Sequence, residues 1–149
     1  MSWNRYTPYD EARTNQRSPQ LSFWSGAYQS THPSKPFQDN NDYYFSMERS
    51  LGVFDGVGGV REISLDPSAM ALDLNMRVPD ALQLRLQHNA QMFDRDIQAM
   101  LATTIEAKCG GWLRNLIAYV FMKTTCLGST TLGCCQLTGR QLSTCVMGL

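Results

Sequence analysis

The chain has 149 residues, enough for one domain with a core of its own. Its 13 basic and 13 acidic side chains cancel, which removes the electrostatic case for nucleic acid or an anionic membrane surface as partner. An apolar fraction of 43% marks the chain as globular rather than disordered overall.

Residues 1–20 are polar, contain Pro8 and Pro19 and show no periodicity, so they read as a disordered lead-in to a domain spanning 21–149. Leu21 to Tyr28 alternates in part, with Phe23 and Trp24, and predicts a first strand. Ser30 to Asn41 is loop, punctuated by Pro33, Pro36 and Asp39. Asp42 to Met47 and Ser50 to Phe54 predict two short strands with Glu48-Arg49 as the turn, and so short a connection implies an antiparallel hairpin. Gly56 to Gly59 then interrupts regular structure.

Asp66-Pro67 is a helix start: the carboxylate caps free amides and proline fits the first turn. A second helix is expected from Pro79-Asp80. Leu82, Leu86, Ala90, Phe93, Ile97, Leu101 and Ile105 recur in it every three or four residues, and Gly110-Gly111 stops or kinks it. Its stripe is expected to bury Leu86, Phe93, Ile97 and Leu101. Trp112 to Lys123 repeats the helical pattern. Ser129 to Leu137 and Gln141 to Met147, with Thr138-Gly139-Arg140 between them, predict a second hairpin. Strands, then helices, then strands give an α+β fold in which helices cover an antiparallel sheet.

The five cysteines, Cys109, Cys126, Cys134, Cys135 and Cys145, form no Cys-x-x-Cys pair, and His32 and His88 lie far from them in sequence. That spacing gives little support to zinc and reads as reduced, buried thiols in an intracellular protein, cytoplasmic or mitochondrial. The longest apolar run, Leu116 to Met122, is far shorter than the ~20 residues of a membrane-crossing helix, so no membrane partner is expected.

The string most suggestive of chemistry is Leu51-Gly52-Val53-Phe54-Asp55-Gly56-Val57-Gly58-Gly59. A hydrophobic strand delivers a carboxylate to its end, and glycine lets a backbone carbonyl approach a bound ion. Such oxygen donors suit Mg²⁺ or Mn²⁺. The competing reading is a plain Asp-Gly turn. A phosphate cradle is a third, but the Walker lysine is missing. The hairpin brings Asp42 beside Asp55 at one rim of the sheet, where two carboxylates repel unless a cation lies between them. Alternatively, Asp42 is a solvated loop-end residue.

Asn41-Asp42-Tyr43-Tyr44-Phe45 followed by Gly52-Val53-Phe54-Asp55-Gly56-Val57-Gly58-Gly59 resembles the two N-terminal motifs of the metal-dependent protein serine/threonine phosphatases of the PP2C type. Asp-Gly-Val-Gly-Gly is similar to the branch with mitochondrial and chloroplast members. His32-Pro33-Ser34-Lys35, Leu65-Asp66-Pro67, Gly128-Ser129-Thr130-Thr131 and Leu142-Ser143-Thr144 follow that branch in order, so the resemblance runs from about Phe23 to Gly148. It implies part of a sandwich of two antiparallel sheets with flanking helices. It also implies a phosphoprotein substrate hydrolysed by a water that two Mg²⁺ or Mn²⁺ ions activate, ~3.5–4 Å apart in such sites. By the same resemblance Asp55 is the catalytic carboxylate that bridges both ions, Gly56 offers its carbonyl to one, and Asp42 holds the other. Lys35 stands near the place of a phosphate-binding arginine, although an exposed loop lysine is also simply solvated.

The chain departs from the pattern at three places. Asn41 stands where the family has Glu, Val60 where the branch has Trp, and Leu149 where Asp is expected in a Gly-Asp-Ser-Gly motif. The expectation is therefore the N-terminal half of a phosphatase domain, weakly active or inactive alone, with a non-catalytic phosphatase-like binding module as the alternative. The Gln141 to Met147 strand carries no Lys or Pro to guard it, which predicts self-association through an open sheet edge.

Overall fold

The computed structural model describes residues 20–34, 40–102 and 111–149. The fold is α+β. Four antiparallel strands, β1 (Asp42–Ser46), β2 (Ser50–Gly56), β3 (Thr130–Thr138) and β4 (Gln141–Gly148), form one sheet in the order β1-β2-β3-β4. Between the two hairpins come a 3₁₀ turn over Gly58–Ile63 and the helices α1 (Pro67–Gln87), α2 (Ala90–Leu101) and α3 (Trp112–Lys123). Both expected hairpins are present, with Thr138 opposite Gln141 at the second turn and Gly139 there at a φ of 61°.

The strands alternate in burial, as a sheet covered on one face must. Phe45, Phe54, Leu132, Cys134, Cys145 and Met147 face the helices and are buried. Tyr44, Val53 and Val146 face the other way and are exposed. Tyr44, Val53, Gly133 and Val146 lie in one row across that open face. The described residues form one sheet, and the second sheet of the sandwich that the resemblance implies is not found among them. Gly52 answers a packing need: a Cβ there would stand 2.1 Å from the ring of Phe45, its cross-strand partner.

The α1 start is as expected. Asp66 caps it, accepting from the Ser68 amide at 2.8 Å, and the Ser68 hydroxyl adds a second bond at 2.7 Å. Those donors hold the Asp66 carboxyl below its ordinary pKa. Pro79 does not start a helix; it lies inside α1. Its missing N–H and ring clash cost ~3 kcal/mol, but Leu74 and Val78 before it and Ala81 and Leu82 after it all bury, and that burial carries the helix through. The expected long helix is instead divided at His88-Asn89, because Asn89 caps α2 by accepting from the amides of Gln91 and Met92.

Ile97 and Leu101 are buried as expected, whereas Leu86 and Phe93 are only partly so. The expected first strand is also absent. Residues 20–34 form no strand, and one backbone bond, from Phe23 N–H to Glu48 carbonyl at 2.7 Å, joins them to the hairpin. The segment nevertheless runs antiparallel along the outer edge of β1, with Ser25 bonded to Ser46 and Gln29 to the Asp42 carbonyl. The expected lead-in up to residue 19, Lys35, Ile105, Cys109 and Gly110 lie outside the described residues. Among the described residues no helix is long and apolar enough to cross a membrane.

Candidate functional site

The β1–β2 register sets Asp42 directly opposite Asp55. Gly56 N–H bonds to the Asn41 carbonyl at 3.2 Å and Met47 N–H to the Ser50 carbonyl at 2.8 Å. Asn41/Gly56 and Met47/Ser50 are therefore hydrogen-bonded pairs, and Asp42/Asp55, one residue along from the first, is a non-hydrogen-bonded pair. In such pairs the side chains stand closest, with Cα atoms ~4.5 Å apart. Like charges directly opposite one another destabilise a sheet, so this rim is not a neutral packing choice.

The electrostatics follow. Burial is the largest influence pushing the Asp42 carboxyl above its ordinary value; the Asp55 charge and a hydrogen bond shared between the two carboxyls act the same way, and the Gly56 N–H opposes them. The backbone of Asp42 is held at both ends, its N–H by Asn40 Oδ1 at 3.2 Å and its carbonyl by Gln29 Nε2 at 2.7 Å. Thr130 Oγ1 donates to the Asp55 carbonyl at 2.8 Å, tying the end of β2 to β3. Gly56 is buried, and a Cβ on it would lie 2.3 Å from the Pro67 carbonyl oxygen and 2.6 Å from that of Asn41. Close chain approach alone accounts for the glycine.

Above the pair is an open cleft of about 520 Å³, lined by Ser30 to Pro33, Asn40, Asn41, Asp42, Asp55, Gly56 and Gly58. The structure thus brings Asp42, Asp55 and Gly56 together, while Lys35 lies outside the described residues. Two further side chains, to which the sequence reading gave no role in the site, belong to the neighbourhood. His32 lines the cleft, and its Nδ1 accepts from the Ser34 amide at 3.2 Å, which leaves Nε2 as the protonated nitrogen. Arg61, on the 3₁₀ turn, donates to Asn41 Oδ1 at 3.3 Å. The sequence signals were the His-Pro placement before the acidic motif and an Arg just beyond the glycines; neither has a spacing that fixes it at the rim.

Facing carboxylates, one of them resisting ionisation, fit a hard divalent cation held by oxygen donors. Among the described residues no group of three or more His, Cys, Asp or Glu side chains converges. The rim therefore offers a carboxylate pair, and the described residues do not assemble the fuller ligand set that a two-ion centre needs. No protein-family model, curated protein or solved structure matches the chain. Any functional reading rests on the motifs and on this geometry.

Proposed function

We propose that the chain carries the acidic N-terminal part of a divalent-metal phosphomonoesterase site of the protein serine/threonine phosphatase kind, and that alone it hydrolyses phosphate esters weakly or not at all. The observation that carries this reading is the Asp42–Asp55 non-hydrogen-bonded pair at the mouth of the glycine loop. A divalent cation held there supplies Lewis-acid activation of phosphate and water. Asp42 and Asp55 hold the cation, and Asn40, Gln29 and Thr130 fix the backbones that carry them. The protonated Nε2 of His32 is a donor for a phosphate oxygen in the cleft. The substrate proposed for this open cleft of about 520 Å³ is a phosphorylated side chain on another protein. Lys35 is the further proposed phosphate contact.

The donor count at the rim favours one alternative, a module that binds a cation and phosphoprotein without turnover. Calorimetric titration with Mn²⁺ and a phenyl phosphate hydrolysis assay separate the two. The wild-type chain should bind Mn²⁺, and Asp55→Asn should weaken that binding by at least tenfold. Slow hydrolysis lost in Asp55→Asn supports the phosphatase; binding without hydrolysis supports the module. No Mn²⁺ binding by the wild type would overturn both.

A further inference from the structure

The two edges of the sheet differ in what covers them, and the difference points to a partner. The outer edge of β1 is lined by residues 20–29, which occupy the carbonyls of Asp42 and Glu48. Among the described residues β4 pairs with β3 only. Leu149 exchanges both backbone bonds with Thr130, at 2.8 and 3.0 Å. Every second residue back from there, Met147, Cys145, Ser143 and Gln141, is therefore turned toward β3. Leu142, Thr144, Val146 and Gly148 turn their N–H and C=O groups outward, and no described backbone group pairs with them. The strand reads Gln-Leu-Ser-Thr-Cys-Val-Met-Gly: it has no charge, no proline and no bulge. Those are the usual guards of a free edge.

We propose that β4 pairs with β4 of a second copy of this chain, antiparallel about a two-fold axis through Cys145. This register places Leu142 opposite Gly148 and Thr144 opposite Val146, each twice by symmetry, so all four outward residues of both strands find backbone partners. A shift of two residues either way leaves some of them unpaired. The self-pairing follows from the strand itself: an antiparallel two-fold needs one sequence and one register, and an uncharged strand brings no repulsion to the seam. Because the β1 edges are occupied, the assembly closes at two copies and does not grow into a fibre.

Sedimentation of the full 149-residue chain under reducing conditions, at micromolar concentration, tests this. The expected result is a species of twice the chain mass. Thr144→Pro removes an outward N–H without touching the β3–β4 ladder; it should give a monomer with unchanged circular dichroism. If Thr144→Pro does not fold, Val146→Lys decides, since Val146 is 75% exposed and a lysine there burdens only the seam. A wild-type monomer, an open-ended aggregate, or a dimer that survives Val146→Lys or a folded Thr144→Pro would each overturn the proposal.

Discussion

Phe54 and Asp55 are neighbours on β2 and belong to two different regions. Phe54 points under the helices, is fully buried, and its ring centroid lies 6.1 Å from that of Phe45. Asp55 points to the rim, is exposed, and faces a second carboxylate. One residue of strand separates packing that stabilises the fold from a charge pair that works against it. The helix-covered face is built like any domain core, whereas the rim holds an arrangement with no packing rationale. That contrast is the physical ground for looking for function at the rim.

The sharpest test of the covered face is Phe54→Ala. The side chain is at 0% exposure and surrounded by α1 and β3, so its removal should cost about 3–5 kcal/mol. Urea unfolding should show the midpoint collapse with little change in slope. A loss below about 1 kcal/mol would mean that the face is not packed as described.

A smaller effect is expected where the helices are laced together. Arg85 of α1 forks onto Asp94 of α2 with two bonds of 2.9 Å, and its guanidinium stacks 3.5 Å from the ring centroid of Trp112 on α3. Trp112 Nε1 in turn donates to Ser143 of β4 at 3.1 Å. Arg85→Ala should cost about 2 kcal/mol, less than a fully buried pair because Asp94 retains some water. Arg85→Lys should recover little, since an ammonium offers neither the fork nor the planar stack. Full recovery by lysine would reduce the network to a simple charge effect.

These regions were not equally legible in the sequence. The hairpins were, because period-two alternation and short connections leave few alternatives, and with them came the Asp42–Asp55 juxtaposition. Helix boundaries were not. Pro79 has a strong local preference that burial on both sides outweighs, and the capping capacity of Asn89 was hidden inside an apparently continuous stripe. That break also leaves Phe93 only partly buried, so its truncation should cost less than that of Phe54. Residues 21–28 alternate only in part, and they line the β1 edge through one backbone bond and a side-chain bond rather than a ladder. His32 and Arg61 reach the rim through a loop and a 3₁₀ turn, elements whose path no periodicity encodes.

The smallest expected effect has the opposite sign and separates the two regions most directly. Replacing Asp42 by Asn keeps the shape of the rim and removes one of the two facing charges. The folded-state pKa of Asp42 is raised above its ordinary value of 3.8, so the folded chain holds that proton more tightly than the unfolded one. The associated stability is fully present below 3.8 and is lost as pH rises through the raised value. Without divalent cations, Asp42→Asn should therefore match the wild type in acid and exceed it at neutral pH. The gain should be about 0.2–1 kcal/mol, the range for a cross-strand like-charge pair. Saturating Mn²⁺ should reverse the order, because the cation stabilises only the chain that binds it. Thermal melts at two pH values, with and without Mn²⁺, read all four conditions. A neutral-pH loss in the cation-free Asn variant would show that the two carboxylates are not in conflict, and the rim would then be ordinary surface.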